Sequence, residues 1–221
     1  MTVARTAVVA GASGLVGGHV VRALLDRPEY SHVTVLVRRQ LDLVHPRLEQ
    51  RLVDFDRLDE QADAFAGADV FCCLGTTIKK AGSQAAFRKV DYAYPLTLGR
   101  LARQQGARRF LLVSSMGANP HSRVFYSRVK GELENGLAEL GLTALLIFRP
   151  SLLLGERQEH RPGERIGAAV MKVVGPLMVG GLRKYRAIHG RIVAQAMVYA
   201  AGQPWTGRHL FESDRIAELG A

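Results

Sequence analysis

The chain has 221 residues, of which 48% are hydrophobic, and its formal net charge is +10. This length allows one domain, or one domain with a small lobe, and the apolar content is sufficient for a sizeable core. No apolar run approaches the roughly eighteen residues of a spanning helix, and the apolar N-terminus lacks a cleavage-site pattern, so we expect neither a membrane span nor a signal peptide.

The polar residues argue against further classes of protein. Cys72 and Cys73 are adjacent, a spacing that strains a disulfide, so we expect reduced core residues in a cytoplasmic protein. The histidines form no HExxH or HxH grouping, and we expect no metal. Basic residues never run longer than two, which disfavours nucleic-acid binding. Attraction of an anionic cofactor and substrate is a sufficient use for the positive charge.

The N-terminal pattern consists of a strand, a glycine loop, a helix and a second strand. Residues 6–10 are an apolar run, residues 11–17 read GASGLVG, residues 19–26 are helical, and residues 33–37 are apolar again. This order is typical of the first βαβ unit of a dinucleotide-binding fold. The alternative is an ordinary glycine-rich turn.

Each glycine of the loop has its own expected task. Gly11 permits the tight turn off the strand, and Gly14 lets the backbone approach a pyrophosphate on the free N–H groups of the helix N-terminus. Gly17 lets the helix pack closely on the strand. The spacing is GxxGxxG rather than GxGxxG, so its position between strand and helix carries the prediction.

The end of the second strand predicts the choice of cofactor. A protein that binds NAD usually places Asp or Glu here to accept a hydrogen bond from the ribose 2′-OH. This chain has Arg38 and Arg39 instead, and a guanidinium binds phosphate in a bidentate manner. We therefore expect NADP(H) rather than NAD(H). Solvated surface charge is the alternative.

The same alternation continues along the chain. Strands are predicted at 48–55, 68–74, 110–114, 142–148 and 209–212, and helices at 84–105, 126–140, 166–174 and 191–201. The fold class is therefore α/β, a doubly wound parallel sheet of the Rossmann-like, NAD(P)-binding type with a small C-terminal substrate-covering lobe. We expect residues 1–221 to form a single NAD(P)-binding domain in which residues 151–190 contribute that lobe.

Three polar side chains follow the fifth strand. Tyr126 and Lys130 are spaced i, i+4, so they share one helix face. A nearby ammonium favours the phenolate and lowers a tyrosine pKa that is normally about 10, which suits proton transfer near neutral pH. Ser115 lies eleven residues before Tyr126 and is expected on the same side of the sheet. The alternatives are that Ser114 and Ser115 are plain strand-end residues and that Tyr126 is a core or surface aromatic.

In this combination the sequence resembles the short-chain dehydrogenase/reductase superfamily, in its extended or atypical branch. The glycine loop, Ser115, the Tyr126–Lys130 pair and Arg149-Pro150 match it in order. Residues 71–77, 114–118 and 157–164 resemble the HIV Tat-interacting protein family within that branch. The resemblance covers nearly the whole chain. It departs at the helix after the fourth strand, where superfamily members often carry Asn and this chain has Val90 followed by Asp91.

The resemblance implies roles for individual residues. Tyr126 would be the acid/base, Lys130 would bind the nicotinamide ribose and tune Tyr126, and Ser115 would orient the substrate carbonyl, with Ser114 as the alternative. Together with the glycine loop and the two arginines, the expected cofactor-binding residues are Gly11, Ser13, Gly14, Leu15, Val16, Gly17, Arg38, Arg39, Asp54, Phe55, Leu74, Gly75, Thr76, Ser114, Lys130, Pro150 and Ser151.

Three functions fit the sequence. The first is an NADP(H)-dependent oxidoreductase that transfers a hydride to or from a small carbonyl or alcohol. The second is an NADPH-binding regulatory protein that binds a protein partner without turnover. The sequence also allows a homodimer. The third is an isomerase or epimerase of a nucleotide-linked sugar, which the short C-terminal region disfavours. The polar segment 157–164 is either a lid that orders on ligand binding or a solvated loop.

Overall fold

The computed structural model describes residues 4–155 and 185–221. Its strands are β1 (Arg5–Ala10), β2 (Tyr30–Val37), β3 (Leu48–Leu52), β4 (Asp69–Cys72), β5 (Arg109–Val113), β6 (Ala144–Arg149), β7 (Leu153–Leu154), β8 (Ile188–His189) and β9 (Gly207–Glu212). Its α-helices are α1 (Leu15–Leu25), α2 (Ile78–Ala81), α3 (Gln84–Arg88), α4 (Tyr94–Gln104), α5 (Phe125–Ala138), α6 (Gly190–Gly202) and α7 (Ser213–Leu219). A 3-10 segment covers Phe55–Phe65 and a π-turn covers Lys89–Ala93.

The strands form a seven-stranded sheet in the order β3-β2-β1-β4-β5-β6-β9, and every neighbouring pair is parallel. The strand order reverses between β1 and β4. In such sheets the ligand crevice lies beyond the carboxyl ends of the two strands at the reversal. The predicted Rossmann-like class is therefore confirmed. Strands β7 and β8 pair separately as a short parallel ribbon.

Two apolar layers hold the helices on the sheet. Because strand side chains alternate between faces, Val9 and Phe71 point into one layer while Val8 and Val70 point into the other. The first layer packs under α1 and α6 and includes Val16, Val20, Leu24, Val193 and Met197. The second packs under α4 and α5 and includes Leu98, Leu101, Leu133 and Leu137.

The predicted helix over residues 84–105 is helical almost throughout, but it changes its winding in the middle. The π-turn over Lys89–Ala93 lies between α3 and α4. Pro95 lacks an N–H and its ring clashes with the carbonyl four residues earlier, which belongs to Asp91, so a regular ladder cannot pass this point. Asp91 lies within this π-turn and is fully buried.

The amino-terminal edge of the sheet is fixed around one buried carboxylate. Asp69 accepts hydrogen bonds from Arg5 Nε at 3.1 Å, Arg109 Nη1 at 2.9 Å and Tyr30 Oη at 3.0 Å. Burial and the Asp69 charge raise the pKa of Tyr30 well above its usual range, so the phenol remains a donor. This network joins β1, β2, β4 and β5 at the edge opposite the ligand crevice.

Candidate functional site

The glycine loop packs so closely that side chains cannot enter it. Gly11 has φ +87°, and a Cβ there would lie 2.5 Å from the Cys73 carbonyl oxygen. A Cβ on Gly17 would lie 2.1 Å from the Gly11 carbonyl oxygen. Helix α1 begins directly after Gly14, earlier than the predicted 19–26 stretch, and no side chain caps it. The open N–H groups of its first turn therefore face the crevice, which fits a pyrophosphate.

The Leu15 side chain packs against two later segments of the chain. A Cβ on Gly155 would lie 2.6 Å from Leu15 Cδ1, and a Cβ on Gly190 would lie 2.7 Å from Leu15 Cγ. Leu15 therefore joins the glycine loop to the end of β7 and the start of α6. Ser13 is exposed at the crest of the loop, while Val16 is part of the core.

The two arginines at the end of β2 are exposed and form no ion pair within the described residues. Arg38 and Arg39 follow Val37 directly. Neither guanidinium contacts a carboxylate within residues 4–155 and 185–221, although the chain contains many arginine–carboxylate pairs elsewhere. Uncompensated guanidinium groups at this position fit an anionic group, because they need not break an ion pair to bind it.

Asp54 and Phe55, which follow β3, both make contacts within the fold. The Asp54 carboxylate accepts a hydrogen bond from Asp56 N at 2.9 Å, so it caps the 3-10 segment that follows. Phe55 is buried against Tyr94, with 5.4 Å between the ring centroids. Asp54 is exposed beside this pair. The surface beside the Phe55–Tyr94 pair therefore fits the edge of an adenine ring, and Asp54 is a polar group there that could form a hydrogen bond with it.

The loop after β4 is tied to the π-turn. Thr76 N donates a hydrogen bond to Asp91 Oδ2 at 2.8 Å, while Leu74 is half-buried and Gly75 is exposed. The other carboxylate oxygen of Asp91 lies 2.8 Å from Lys130 Nζ. Asp91 thus holds together the loop that would line the middle of a dinucleotide and the lysine of the predicted pair.

Helix α5 presents three polar residues on one face, at i, i+4 and i+8. Tyr126 is 37% exposed, and its ring lies 5.7 Å from that of buried Phe87. Lys130 is buried, and Glu134 is buried one turn further on. Burial lowers the pKa of the Lys130 ammonium, but the charges of Asp91 and Tyr126 raise it more, so its pKa lies above the usual value and the lysine stays charged.

The two serines after β5 have different partners. Ser114 Oγ donates to Glu134 Oε1 at 2.5 Å, and Arg149 binds the same carboxylate through Nε at 3.0 Å and Nη2 at 2.6 Å. Ser114 is therefore occupied. Ser115 Oγ is buried and has no hydrogen-bond partner in the described part of the chain. A buried hydroxyl without a partner fits a site that a polar ligand group completes.

The loops after β5 and β6 are joined beside the crevice. Met116 N donates to the Pro150 carbonyl at 3.0 Å, and Ser151 Oγ accepts from Ser213 Oγ at 3.0 Å and donates to the Arg186 carbonyl. On the α6–α7 side of Ser151 there is a cavity of about 350 Å³. Its lining includes Arg186, Ile188, His189, Ile192, Ser213 and Asp214.

Asp91 and Glu134 contact residues of the candidate site, and the sequence analysis assigned neither of them to it. Glu134 lies eight residues after Tyr126 on the face already marked by Lys130, so helix periodicity could have indicated it. No sequence signal indicated the partner of Asp91. The segment 157–164 and the predicted helix 166–174 lie outside the described residues.

Within 4–155 and 185–221, no group of three or more His, Cys, Asp or Glu side chains is arranged to hold a metal ion. Over those ranges, no helix is long and apolar enough to cross a membrane.

The sheet order and the glycine cradle define a Rossmann-type NAD(P)-binding protein, and comparisons with known proteins agree. A family model described as NAD(P)H-binding matches residues 11–152. Protein HTATIP2 of Rattus norvegicus is 40% identical over 217 residues, covering 96% of this chain and 88% of that protein. The chain therefore belongs to the NAD(P)H-binding family and is a relative of protein HTATIP2.

Solved structures of the same fold are more distant in sequence. A UDP-N-acetylglucosamine 4-epimerase from Methanobrevibacter ruminantium matches with a TM-score of 0.70 at 17% identity, covering 96% of this chain and 77% of that chain. MoeE5 in complex with UDP-glucuronic acid and NAD matches with a TM-score of 0.72 at 18% identity, covering 93% of this chain and 75% of that chain. These matches show the fold alone.

The expectation of a cytoplasmic protein is wrong on the comparison with fungal relatives. Protein FMP52 of Candida albicans, 34% identical over 73% of this chain, is named as mitochondrial, and so is that of Coccidioides immitis, 32% identical over 88% of this chain. The expectation rested on adjacent reduced cysteines. Burial alone keeps such thiols unreactive, so they carry no information about the compartment.

Proposed function

We propose that this protein is an NADP(H)-dependent oxidoreductase of the atypical short-chain dehydrogenase type, acting on a small carbonyl or alcohol substrate. One observation carries the proposal. A buried, charged Lys130 lies one helical turn from the accessible Tyr126, and Asp91 connects that lysine to the loop after β4. The orphaned Ser115 hydroxyl supplies a further polar group at the same edge of the sheet.

The cofactor choice is supported by charge. The glycine cradle and the open first turn of α1 suit the pyrophosphate of either dinucleotide. Arg38 and Arg39 favour the one with a 2′-phosphate, because no carboxylate at the end of β2 repels it and none neutralises the guanidinium groups. The remaining positions of the proposed cofactor site are Ser13, Asp54, Phe55, Leu74, Gly75, Thr76, Pro150 and Ser151.

The catalytic roles follow from the chemistry of the side chains. A bound nicotinamide would supply or accept the hydride. Ser115 Oγ donates a hydrogen bond to the substrate oxygen and fixes its direction, and Tyr126 Oη gives a proton to that oxygen or takes one from it. Lys130 holds the nicotinamide ribose with its ammonium and orients the tyrosine.

We propose that residues 1–221 act as one unit, with the region 151–190 on the substrate side. The described ends of that region support this arrangement, because β7 and β8 pair beside Ser151 at the carboxyl edge of the sheet.

The decisive test separates cofactor binding from turnover. NADPH oxidation is followed against a panel of carbonyl compounds for wild type, Tyr126→Phe and Tyr199→Phe, an exposed tyrosine on α6 that serves as the control. We expect Tyr126→Phe to bind NADPH normally and to lose most turnover, because only the proton donor is removed. Binding by wild type without turnover on any substrate would favour the regulatory alternative.

Calorimetry tests the cofactor choice. We expect NADPH to bind at least about tenfold more tightly than NADH, a difference of about 1.4 kcal/mol. Arg38→Asp should abolish or reverse that preference, while Arg108→Asp, an exposed arginine at the opposite edge of the sheet, should leave it unchanged. Equal affinities of wild type for the two cofactors would contradict the proposal.

A further inference from the structure

The two chain segments on either side of Tyr126 carry positive charge and no negative charge. Residues 73–90 follow β4 and residues 114–131 follow β5, and neither segment contains Asp or Glu. Because β4 and β5 are parallel neighbours, both segments leave the sheet at its carboxyl edge. The proposed reaction uses Ser115 and Lys130 from these segments and gives their other basic residues no task.

Several of these basic residues already have a carboxylate partner. The ion pairs are Arg88–Glu132, Lys89–Asp56 and Lys130–Asp91. Lys79 and Arg123 differ from them, because both side chains are exposed and neither forms an ion pair within residues 4–155 and 185–221. We call Lys79 and Arg123 the two unpaired cations. They can bind an anion without first breaking an ion pair.

Arg123 belongs to a loop that is fixed on helix α5. Asn119 N donates a hydrogen bond to the Ser127 carbonyl at 3.0 Å, and Arg128 Nη1 donates to the Ser122 carbonyl at 2.9 Å. The backbone that carries Arg123 therefore has a defined position at the start of the helix that carries the proposed acid/base. A fixed backbone lowers the entropic cost of binding a ligand there.

Lys79 lies on helix α2, which is fixed in a similar way. Thr77 Oγ1 accepts a hydrogen bond from Lys80 N at 3.1 Å and caps the helix. Helix α2 contacts α3, and α3 contacts the first turn of α5 through Phe87, whose ring centroid lies 5.6 Å from that of Phe125. The two unpaired cations therefore lie on connected elements at the same edge of the sheet.

Each unpaired cation has an exposed apolar neighbour in the sequence. Ile78, beside Lys79, is 41% exposed, and Val124, beside Arg123, is 61% exposed. At the same edge of the sheet, Ser115 Oγ is buried without a hydrogen-bond partner in the described part of the chain, which fits a polar ligand group. This edge therefore offers a hydroxyl, two apolar side chains and two cations to one ligand.

We propose that the substrate of this site is an amphipathic carbonyl compound or alcohol with an anionic group, a carboxylate or a phosphate, that Lys79 and Arg123 bind. The inference rests on the proposed function and names its substrate class. The apolar part of the substrate lies against Ile78 and Val124, because contact there removes apolar surface from water. In reduction, the carbonyl carbon gains a hydride from the reduced cofactor and the oxygen gains the Tyr126 proton. The product is an alcohol, the cofactor is oxidised and the anionic group is unchanged.

The first test compares NADPH oxidation with ω-oxo carboxylic acids and ω-oxo alkyl phosphates of increasing chain length, and with the uncharged methyl esters of both. In wild type we expect the better anionic series to exceed its esters in kcat/KM by at least about tenfold. In the double variant Lys79→Gln/Arg123→Gln we expect that ratio to approach one. The series with the larger ratio identifies the anionic group.

A matched control separates specific binding from the general effect of charge. The double variant Arg100→Gln/Arg108→Gln removes two exposed arginines, one on α4 and one before β5, and so lowers the net charge by the same amount. It should keep the wild-type ratio. Equal kcat/KM of wild type for anions and esters, or loss of the ratio in this control, would overturn the inference and leave the proposed function intact.

The second test measures binding and needs no turnover. Calorimetry in the presence of NADP⁺ compares n-alkanoates and n-alkyl phosphates with 1-alkanols of the same chain length. We expect one anionic series to bind wild type at least about tenfold more tightly than the alkanols, and Lys79→Gln/Arg123→Gln to lose the difference. If neither series binds more tightly than the alkanols, the inference is wrong even if carbonyl reduction is found. Anion-dependent binding without turnover of any carbonyl compound would contradict the proposed function alone.

Discussion

Glu134 anchors helix α5 to the sheet, and replacing it by Gln should lower the free energy of unfolding markedly. Its carboxylate is 1% exposed, accepts from Ser114 and binds Arg149 through two hydrogen bonds. Glutamine keeps the shape but removes the charge and one acceptor, so a guanidinium that is only 21% exposed loses the carboxylate to which it donates two hydrogen bonds. Removing one partner of a fully buried pair costs about 3–5 kcal/mol. Since Arg149 reaches some water, we expect about 3 kcal/mol.

The same helix offers a matched control. Glu132 pairs with Arg88 at the surface, where the side chains are 30% and 44% exposed. Glu132→Gln should therefore cost at most about 1 kcal/mol. Thermal and urea unfolding of both variants measure the difference, and about 3 kcal/mol corresponds to a fall in Tm of roughly 6–12 °C for a chain of this size. Equal destabilisation by the two substitutions would refute the expectation that burial increases the contribution of the Glu134 interactions to the free energy of unfolding.

Two further predictions follow from close packing and burial. Gly17→Ala should abolish NADPH binding, because the new methyl group would lie 2.1 Å from the Gly11 carbonyl oxygen. Gly202→Ala is the control: its methyl group would meet nothing within 4 Å, so binding should be unchanged. Calorimetry measures the NADPH affinity of both variants. Cys72 should resist a thiol reagent in the folded protein, because burial raises the pKa of its thiol to about 12. The same thiol should react once the chain is unfolded. Rapid labelling of Cys72 in the folded protein at neutral pH would contradict this expectation.

Local patterns were enough to predict much of the sheet. The glycine loop, the apolar strands and the Tyr126–Lys130 spacing obey rules that act within a few residues: backbone freedom at glycine, side-chain alternation along strands and helical periodicity. The start of α1 was placed too late, because Gly17 and Gly18 have poor helix propensity. Close packing of the helix on β1 overrides that propensity. The short helix α7 lacked a strong periodic signal and was not predicted.

What the sequence determined by itself was the α/β order, the glycine loop before the first helix and the candidate tyrosine and lysine, since each depends on neighbours along the chain. Tertiary structure alone decided that Asp91 forms an ion pair with Lys130, that Ser114 donates a hydrogen bond to Glu134, and that Leu15 packs between the ends of distant segments. Those contacts join residues on different elements. Their existence depends on how the crossover helices pack on the sheet and on which polar groups burial forces to find a partner.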